Sequence, residues 1–307
     1  MSDFVLLAKK IVRYFFKEPN IGLIIILDKL SFFLSDKLYV KMMFYLHMGY
    51  RLDLTNPRSF SEKIQWLKLY DHQPQYTRMA DKYEMKRIVN ELIGPGFVIP
   101  VLGVWDNESD IDFSSLPNQF VLKTTHDSGG VLICRDKSNF DIVDARKKLK
   151  SHLVSDFYVK TKEWPYKNIK RRIIAEKYME NENGELWDYK FFCFDGIVKL
   201  IEVDYDRFVE HKRTLFTPEW ENMNATIGFP SDEKNNIEKP SCLDEMIQVS
   251  QILSAGIPHL RVDFYCTNNQ FYVGELTFYH GSGFEKTNPE SLNYTMGSWI
   301  KLPQRSK

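Results

Sequence analysis

The sequence predicts an α+β fold with an N-terminal helical region. Two segments, residues 191–203 and 261–276, each hold two apolar, β-branched runs separated by a short turn signal, as in antiparallel hairpins. Amphipathic helical patterns lie between the strand patterns, and residues 1–50 are apolar with helical periodicity. The chain has 307 residues, which is enough for more than one structural unit.

Composition and charge narrow the possible functions. The 41 basic residues balance 41 acidic residues, so no overall field favours nucleic acid. The four cysteines include no C-x-x-C pair, which argues against a zinc site or a disulfide framework. Residues 21–27 form an apolar run too short to span a bilayer, and the start lacks the features of an export signal. We therefore expect a cytoplasmic protein.

The first helical pattern has two possible interpretations. Its apolar and basic residues fall on different helical faces. The apolar residues are Phe4, Ala8, Ile11 and Phe15, and the basic residues are Lys9, Arg13 and Lys17. Such a helix is typical of a cap packed on the main body, or of peripheral contact with an anionic membrane through residues 1–50, at the inner face of the membrane.

Helix signals dominate the next segment. Ser59 and Glu62 match a capping box and predict a helix that ends near residue 70. A second helix is predicted over residues 81–92, where the Gly-Pro-Gly sequence of residues 94–96 ends it.

From residue 97 onward, strand patterns are more frequent. We predict strands over residues 97–104, 120–124, 131–134 and 172–178, with a helix over residues 141–154. The second and third of these strands are expected to pair across the loop between them.

The remaining elements follow from the two hairpins. The first turns at Asp195-Gly196, and the second turns at Asn268-Asn269. Between them, residues 243–253 form an amphipathic helical pattern.

A lysine followed by a glycine-containing loop is the first candidate for chemistry. Lys123 ends a strand, and Gly129 and Gly130 precede the next strand. Glycines allow close backbone approach to a polyanion, and successive N–H groups can bind phosphate. The pattern matches neither the P-loop nor the Rossmann motif, and an ordinary turn is the alternative.

Charged residues within apolar strands give the second candidate. Asp263 and Glu275 lie in the two strands of the second hairpin, and Arg261 shares a strand face with Asp263. Carboxylates on neighbouring strands suit Mg²⁺ that bridges nucleotide phosphates, and the arginine suits a transferring phosphoryl group. A pair of structural salt bridges is the alternative.

The third candidate is a strand that runs into charge. Glu176 lies in residues 173–179, and Asp188 and Lys190 open the hairpin that follows. The end of such a strand can meet an adenine ring with backbone groups, although an ordinary amphipathic strand has the same pattern.

In this order, these segments resemble the ATP-grasp superfamily and, within it, the TupA-like branch that is named for teichuronopeptide synthesis. The resemblance covers roughly residues 56–303. The stretches that carry it are residues 56–68, 80–83, 123–130, 174–178, 188–196, 261–263 and 274–285.

The resemblance implies a nucleotide site. Lys82 and Lys123 would contact phosphates, and residues 126–130 would close over them, with His126, Ser128, Gly129 and Gly130 as the contacts. Glu176 and the backbones of Lys177 and Met179 would hold the adenine. Three acids compete for the ribose: Glu180, Glu182 and Glu185.

The resemblance also implies a reaction centre. The groups around the γ-phosphate and the acyl phosphate would be Asp188, Lys190, Arg207 and Arg261. Asp263 and Glu275 would bind Mg²⁺. Thr277 stands where many ATP-grasp enzymes have asparagine, although its hydroxyl can still bind the metal or a bound water.

The implied fold is two α+β subdomains that clasp ATP. We expect an N-terminal helical region (1–55), a pre-ATP-grasp region (56–118), a lid subdomain (119–180) and a C-terminal catalytic subdomain (181–307). The implied activity is a carboxylate–amine ligase that forms an acyl phosphate. It would join a uronic acid of a surface polysaccharide to an amino acid or other amine, with either partner supplying the carboxylate. Two alternatives are a sugar-nucleotide glycosyltransferase that uses Asp204-Tyr205-Asp206, and a binding protein without turnover.

Overall fold

The computed structural model describes residues 19–180, 187–205, 211–232, 237–267 and 270–304. The helices are α1 (Pro19–Leu30), α2 (Asp36–Met48), α3 (Phe60–Tyr70), α4 (Pro74–Ala80), α5 (Glu84–Ile93), α6 (Ile142–Val154), α7 (Phe157–Thr161), α8 (Leu243–Ser254) and α9 (Ser291–Trp299). The strands are β1 (Val101–Trp105), β2 (Phe120–Thr124), β3 (Val131–Cys134), β4 (Ile173–Lys177), β5 (Asp188–Phe194), β6 (Ile197–Tyr205), β7 (Lys212–Phe216), β8 (Thr226–Ile227), β9 (Leu260–Thr267), β10 (Gln270–Thr277) and β11 (Thr287–Asn288). None of these helices is long and apolar enough to cross a bilayer.

The strands form three antiparallel sheets. The four-stranded sheet has the order β1-β4-β2-β3, and the five-stranded sheet has the order β10-β9-β5-β6-β7. The third sheet pairs β11 with β8. Helices and antiparallel sheets in one chain confirm the predicted α+β class.

Each large sheet has its own apolar core. One face of the four-stranded sheet packs against α6, where Phe120, Leu122 and Leu149 are buried. One face of the five-stranded sheet packs against α8, where Phe191 and Phe264 are buried. The predicted helix over residues 243–253 is therefore confirmed, and its apolar side covers a sheet.

The capping box at the start of α3 is confirmed. The Ser59 side chain accepts the N–H of Glu62, and the Glu62 carboxylate accepts the N–H of Ser59 at 3.0 Å. Helix α3 packs closely on α9, where Gly297 faces the start of α3. A Cβ atom at Gly297 would lie 2.2 Å from the carbonyl oxygen of Arg58. The two helices can therefore cross at this point only because a side chain is absent.

The predicted helix over residues 81–92 begins later than expected, because Asp81 ends α4 and residues 82–83 form a turn before α5. The Asp81 carboxylate accepts the N–H of Tyr83 at 2.8 Å and pairs with Arg172 at 2.8 Å. Helix α4, which precedes this break, and strand β7 were not predicted.

The predicted strand over residues 97–104 is divided between the two large sheets. Phe97 accepts the N–H of Val273 at 2.7 Å, whereas β1 pairs with β4. Pro100 lies between the two parts and has no N–H to continue either ladder. The segment thus connects the five-stranded sheet to the four-stranded sheet.

Both predicted hairpins are present. The first joins β5 to β6 through Asp195 and Gly196, whose φ angles are 51° and 78°, as a type I′ turn requires. The second joins β9 to β10, and its expected turn at Asn268-Asn269 lies outside the described residues. The predicted strands over residues 120–124 and 131–134 pair as expected.

Helix α2 forms a cap on the body of the protein. Its inner face is buried through Tyr39, Val40, Met43 and Phe44. The Tyr39 hydroxyl donates to the carboxylate of Asp28 and lies 2.6 Å from the carbonyl oxygen of Lys160. The amphipathic face expected over residues 4–17 lies outside the described residues.

Buried ion pairs attach α5 to the four-stranded sheet. The Glu176 carboxylate lies 2.6 Å from the Nζ of Lys86 on α5 and 2.6 Å from the Nζ of Lys123 on β2. Lys86 also donates to the carbonyl oxygen of Ile99 at 2.9 Å. One carboxylate therefore binds two lysines that come from different elements.

We expect Gly297→Ala to lower the free energy of unfolding by about 1–3 kcal/mol, because its new Cβ atom would overlap the backbone of α3. In an ordinary helix this substitution stabilises, by roughly 1 kcal/mol. Urea unfolding measures the difference, with Ser298→Ala at an exposed position of the same helix as the control. Equal stability of the two variants would contradict the close approach.

Glu176→Gln leaves Lys86 and Lys123 without their shared anion, so we expect the free energy of unfolding near pH 7 to fall by about 3 kcal/mol. Burial alone raises the pKa of Glu176, but Lys123 and Lys86 outweigh it and lower the pKa from 4.5 to about 2. The stabilisation is therefore complete above pH 4.5 and is lost as the pH falls towards 2.

Urea unfolding of the wild type and the variant at a series of pH values tests this ion pair. The difference between them should be largest at neutral pH and should narrow below pH 4.5. Glu221→Gln, at an exposed position, is the control and should match the wild type throughout. A difference that stays constant with pH would argue against an ion-paired Glu176.

Candidate functional site

The five-stranded sheet has one apolar face and one charged face. Residues paired directly across strands point to the same face of a sheet. On this basis the charged face carries Glu275 and Thr277 of β10, Arg261 and Asp263 of β9, Asp188 and Lys190 of β5, Glu202 and Asp204 of β6, and Arg213 of β7. The opposite face is the one covered by α8. The sheet therefore concentrates charge on the side away from its core.

A β-bulge brings the two expected metal ligands together. Val273 pairs with Phe264 and Glu275 pairs with Asp263, so Gly274 is left without a partner. In a regular ladder Gly274 would face Asp263, and Glu275 would point to the apolar face. A Cβ atom at Gly274 would lie 2.6 Å from a carbon of the Tyr265 ring. A side chain at this position would therefore have to displace the Tyr265 ring.

Arg261 binds Asp263 through two parallel hydrogen bonds. Its Nε and Nη2 donate to the two carboxylate oxygens at 2.7 and 2.6 Å, and Nη2 also donates to the Thr277 hydroxyl at 3.2 Å. Burial raises the pKa of Asp263 to about 6, although Arg261 acts in the opposite direction. The predicted common face of Arg261 and Asp263 is confirmed by this contact.

Lys82 connects the two sheets at the site. Its Nζ donates to the carbonyl oxygen of Asp127, in the loop after β2, and lies 3.8 Å from the Glu275 carboxylate. Burial raises the pKa of Glu275, but the charges of Lys82, Arg261 and Lys123 outweigh it, so that the pKa is lowered. The structure therefore places Lys82, Lys123 and Glu275 in one electrostatic environment.

The expected phosphate loop is anchored more firmly than its sequence suggests. His126 is buried beside the end of α6, and burial lowers its pKa. The Asp127 carboxylate accepts a hydrogen bond from the Thr124 hydroxyl and lies 2.6 Å from the His152 ring nitrogen. The exposed part of the loop is Ser128 and Gly129, followed by the buried Gly130. The tip of the loop, rather than the His126 ring, is thus accessible to a ligand.

The expected adenine segment lies at the end of β4. Lys177 is exposed, but its N–H donates to the carbonyl oxygen of Pro100 at 3.0 Å. Met179 is half-buried just beyond the strand, and Glu180 is exposed. Two other ribose candidates, Glu182 and Glu185, lie outside the described residues.

Lys190 belongs to a buried network rather than to the pair of acids. It faces Asp263 across the strands, but its ammonium group binds Asp204 and lies 3.4 Å from Glu202. Arg213 contacts the same two acids at 2.8 and 3.0 Å. The network holds Lys190 in place on β5, the central strand of the sheet.

Asp188 is buried two residues before Lys190, opposite Tyr265 in the register. Arg207 lies outside the described residues, as does Asp206 of the Asp204-Tyr205-Asp206 pattern.

Three residues of this region were not predicted to act together. Lys68 of α3 donates to the backbone and side-chain oxygens of Ser282 at 2.7 and 2.6 Å. Burial lowers the pKa of Lys68 to about 8, and burial raises the pKa of Glu163, its charged neighbour. Lys68, Ser282 and Glu163 come from segments far apart in sequence, so no local pattern could have identified the group.

Lys86, by contrast, lies on the buried face of an amphipathic helix, where a lysine requires an anion.

Ser282 lies in the short helical turn His280–Gly283. In the structure the N–H of Ser282 donates to Tyr279 at 2.9 Å, and the N–H of Phe284 donates to Gly281 at 3.0 Å. These two donors stabilise the turn itself.

Within the described ranges, no cluster of three or more His, Cys, Asp or Glu side chains is arranged as a metal site.

Comparison with solved structures finds distant similarity to ligases. The D-alanine–D-alanine ligase of Bacillus anthracis in complex with ATP is 17% identical over 72% of this chain and 64% of that chain, with a TM-score of 0.40. The Helicobacter pylori D-alanine–D-alanine ligase is 15% identical over 79% and 69%, with a TM-score of 0.40. The Thermotoga maritima phosphoribosylamine–glycine ligase is 11% identical over 66% and 48%, also at 0.40. The chain therefore spans less than two thirds of the Bacillus anthracis structure.

Comparison with families is more specific. No curated protein sequence matches the chain. The family model described as TupA-like ATP-grasp matches residues 62–301. That range includes both large sheets and the charged face, and it covers well over half of the 307 residues. The protein therefore belongs to the TupA-like ATP-grasp family.

Proposed function

We propose that the protein is an ATP-dependent carboxylate–amine ligase that acts in the cytoplasm through an acyl phosphate. The observation that supports it most directly is the bulged β9–β10 hairpin, which sets Asp263 and Glu275 side by side. The charge of Lys123, on β2 of the four-stranded sheet, acts on Glu275, and Lys82 contacts both Glu275 and the loop after β2. Acids on one sheet and lysines on the other suit the metal-bound phosphates of a nucleotide.

The residues fit a magnesium ion. Asp263 and Glu275 supply carboxylate oxygens at paired positions, and Thr277 supplies a hydroxyl beside them. Burial raises the pKa of Asp263, so its charged form would gain from a nearby cation. Mg²⁺ usually takes few protein ligands and completes its shell with phosphates and water. When bound, it would neutralise charge on the β- and γ-phosphates.

The charged side chains would stabilise the phosphoryl transfer. A substrate carboxylate attacks the γ-phosphorus and ADP leaves. Lys123, which pairs with Glu176, and Lys82 would face the phosphates, and Arg261, which Asp263 holds, would face the transferring group. An amine then attacks the acyl carbon, loses a proton, and displaces inorganic phosphate. No protein nucleophile is needed.

The substrates we propose are a uronic acid of a surface-polysaccharide precursor and an amino acid or other amine. The support is the TupA-like family, which is named for teichuronopeptide synthesis. The glycosyltransferase alternative requires Asp204 to bind a metal-bound sugar nucleotide. Asp204 is held by two cations, Lys190 and Arg213, whereas Glu275 of the ligase site lies 3.8 Å from Lys82, so we favour the ligase.

Lys123→Met should weaken binding of Mg-ATP by about tenfold to a hundredfold, since it removes a charged contact to phosphate. Isothermal titration of the full chain measures the dissociation constant. Lys150→Met, an exposed lysine of α6 in the same subdomain, is the matched control and should bind like the wild type. Tight binding of a UDP-sugar instead of ATP would overturn the proposal.

Glu275→Gln should lower turnover by about a hundredfold or more, because a carboxylate that holds the metal is lost. The measurement is release of ADP in a screen that combines uronic acids with amino acids. Omission of either substrate should abolish release, and Glu221→Gln, at an exposed position, should retain it. Unchanged turnover in Glu275→Gln would contradict the proposed role.

A further inference from the structure

The turn between α1 and α2 presents two adjacent phenylalanines to solvent. Phe32 is 77% exposed and Phe33 is 80% exposed, and their rings contact each other edge to face at 5.7 Å. Leu30, at the end of α1, is also exposed. We call Leu30, Phe32 and Phe33 the aromatic tip. An exposed pair of this kind is unusual, because the removal of each apolar ring from water would be favourable.

An apolar stripe on α1 leads to the aromatic tip. Leu23, Ile26 and Leu30 are exposed and follow one another at helical spacing, so they lie on one face of the helix. On α2, exposed Leu38 and Met42 are four residues apart. Both helices therefore bury one side and present apolar side chains on the other.

The charges around the aromatic tip are arranged asymmetrically. Lys29, Lys37 and Lys41 are exposed, and within the described part of the chain none of them forms an ion pair. The two acids nearby are used internally. Asp28 accepts the Tyr39 hydroxyl at 2.6 Å, and Asp36 pairs with Lys162 at 3.2 Å. The solvent side is therefore apolar and positive, while the negative groups are bound to the body.

The aromatic tip is held on a rigid support. Asp36 also accepts the hydroxyl of Tyr158, and Lys162 donates to the carbonyl oxygen of Ser31, the residue before Phe32. These contacts join the turn to the segment around α7. An exposed apolar tip on a fixed support can enter a partner without first becoming ordered.

We propose that the aromatic tip docks the protein on an anionic lipid bilayer. Phenylalanine and leucine side chains at such a tip enter the boundary between head groups and acyl chains, and flanking lysines contact anionic head groups. Because the exposed lysines around the tip are positively charged, the complementary partner is an anionic surface. This docking is independent of the proposed ligase reaction, since no residue of the candidate site takes part.

Sedimentation with lipid vesicles tests the docking. The full-length protein should bind vesicles of phosphatidylcholine mixed with phosphatidylglycerol, bind vesicles of phosphatidylcholine alone weakly, and lose binding as salt is added. Phe32→Ser combined with Phe33→Ser should reduce binding by about tenfold or more. Lys37→Gln combined with Lys41→Gln should reduce it by about fivefold for each charge removed.

The matched control is Val143→Ser combined with Val154→Ser. These valines are 80% and 71% exposed on α6, so the control removes equally exposed apolar side chains elsewhere. It should bind vesicles like the wild type. Circular dichroism and binding of Mg-ATP should be unchanged in every variant, which separates a failure of docking from a failure of the nucleotide site.

Two results would overturn the docking proposal. One is equal binding of the phenylalanine variant and the wild type to the anionic vesicles. The other is a wild type that binds no vesicles but forms a dimer that the phenylalanine variant dissociates. The second result would assign the tip to contact with a second copy of the chain.

Discussion

Charge compensation on one face of the five-stranded sheet is the constraint on which the site depends. A continuous series of contacts runs from Lys190 through Asp204, Arg213 and Glu285 to His280 and Arg261. Each of these groups would be costly to bury alone, and removing one partner leaves another unpaired. The series therefore fixes the orientation of Arg261, and Arg261 in turn orients Asp263.

The segment from Lys82 to Lys86 provides charge compensation between the two large sheets. Lys82 contacts Asp127 of the loop after β2 and approaches Glu275 of β10, while Lys86 binds Glu176 of β4. The two ends of one short segment thus contact both sheets. Polar contacts between two sheets with separate cores allow a ligand site to form where the sheets meet.

Several parts of the fold and of the site could be predicted from local sequence patterns. Ser59 and Glu62 identify the start of α3, and the Asp195-Gly196 turn identifies a hairpin, because both depend on neighbours in sequence. The common face of Arg261 and Asp263 follows from strand alternation. The direct pairing of Asp263 with Glu275 does not follow, since it depends on an extra residue in the ladder at Gly274.

The sequence by itself determined the α+β class, most of the long elements and the family, because hydrophobic period, turn residues and motif order are properties of short segments. Only the tertiary structure decided which charges meet. It bound Lys190 to Asp204, buried His126 and joined Lys68 to Ser282. It also left Phe32 and Phe33 exposed. The reason is that burial and ion pairing depend on distances between segments that are remote in sequence, and no local pattern encodes those distances.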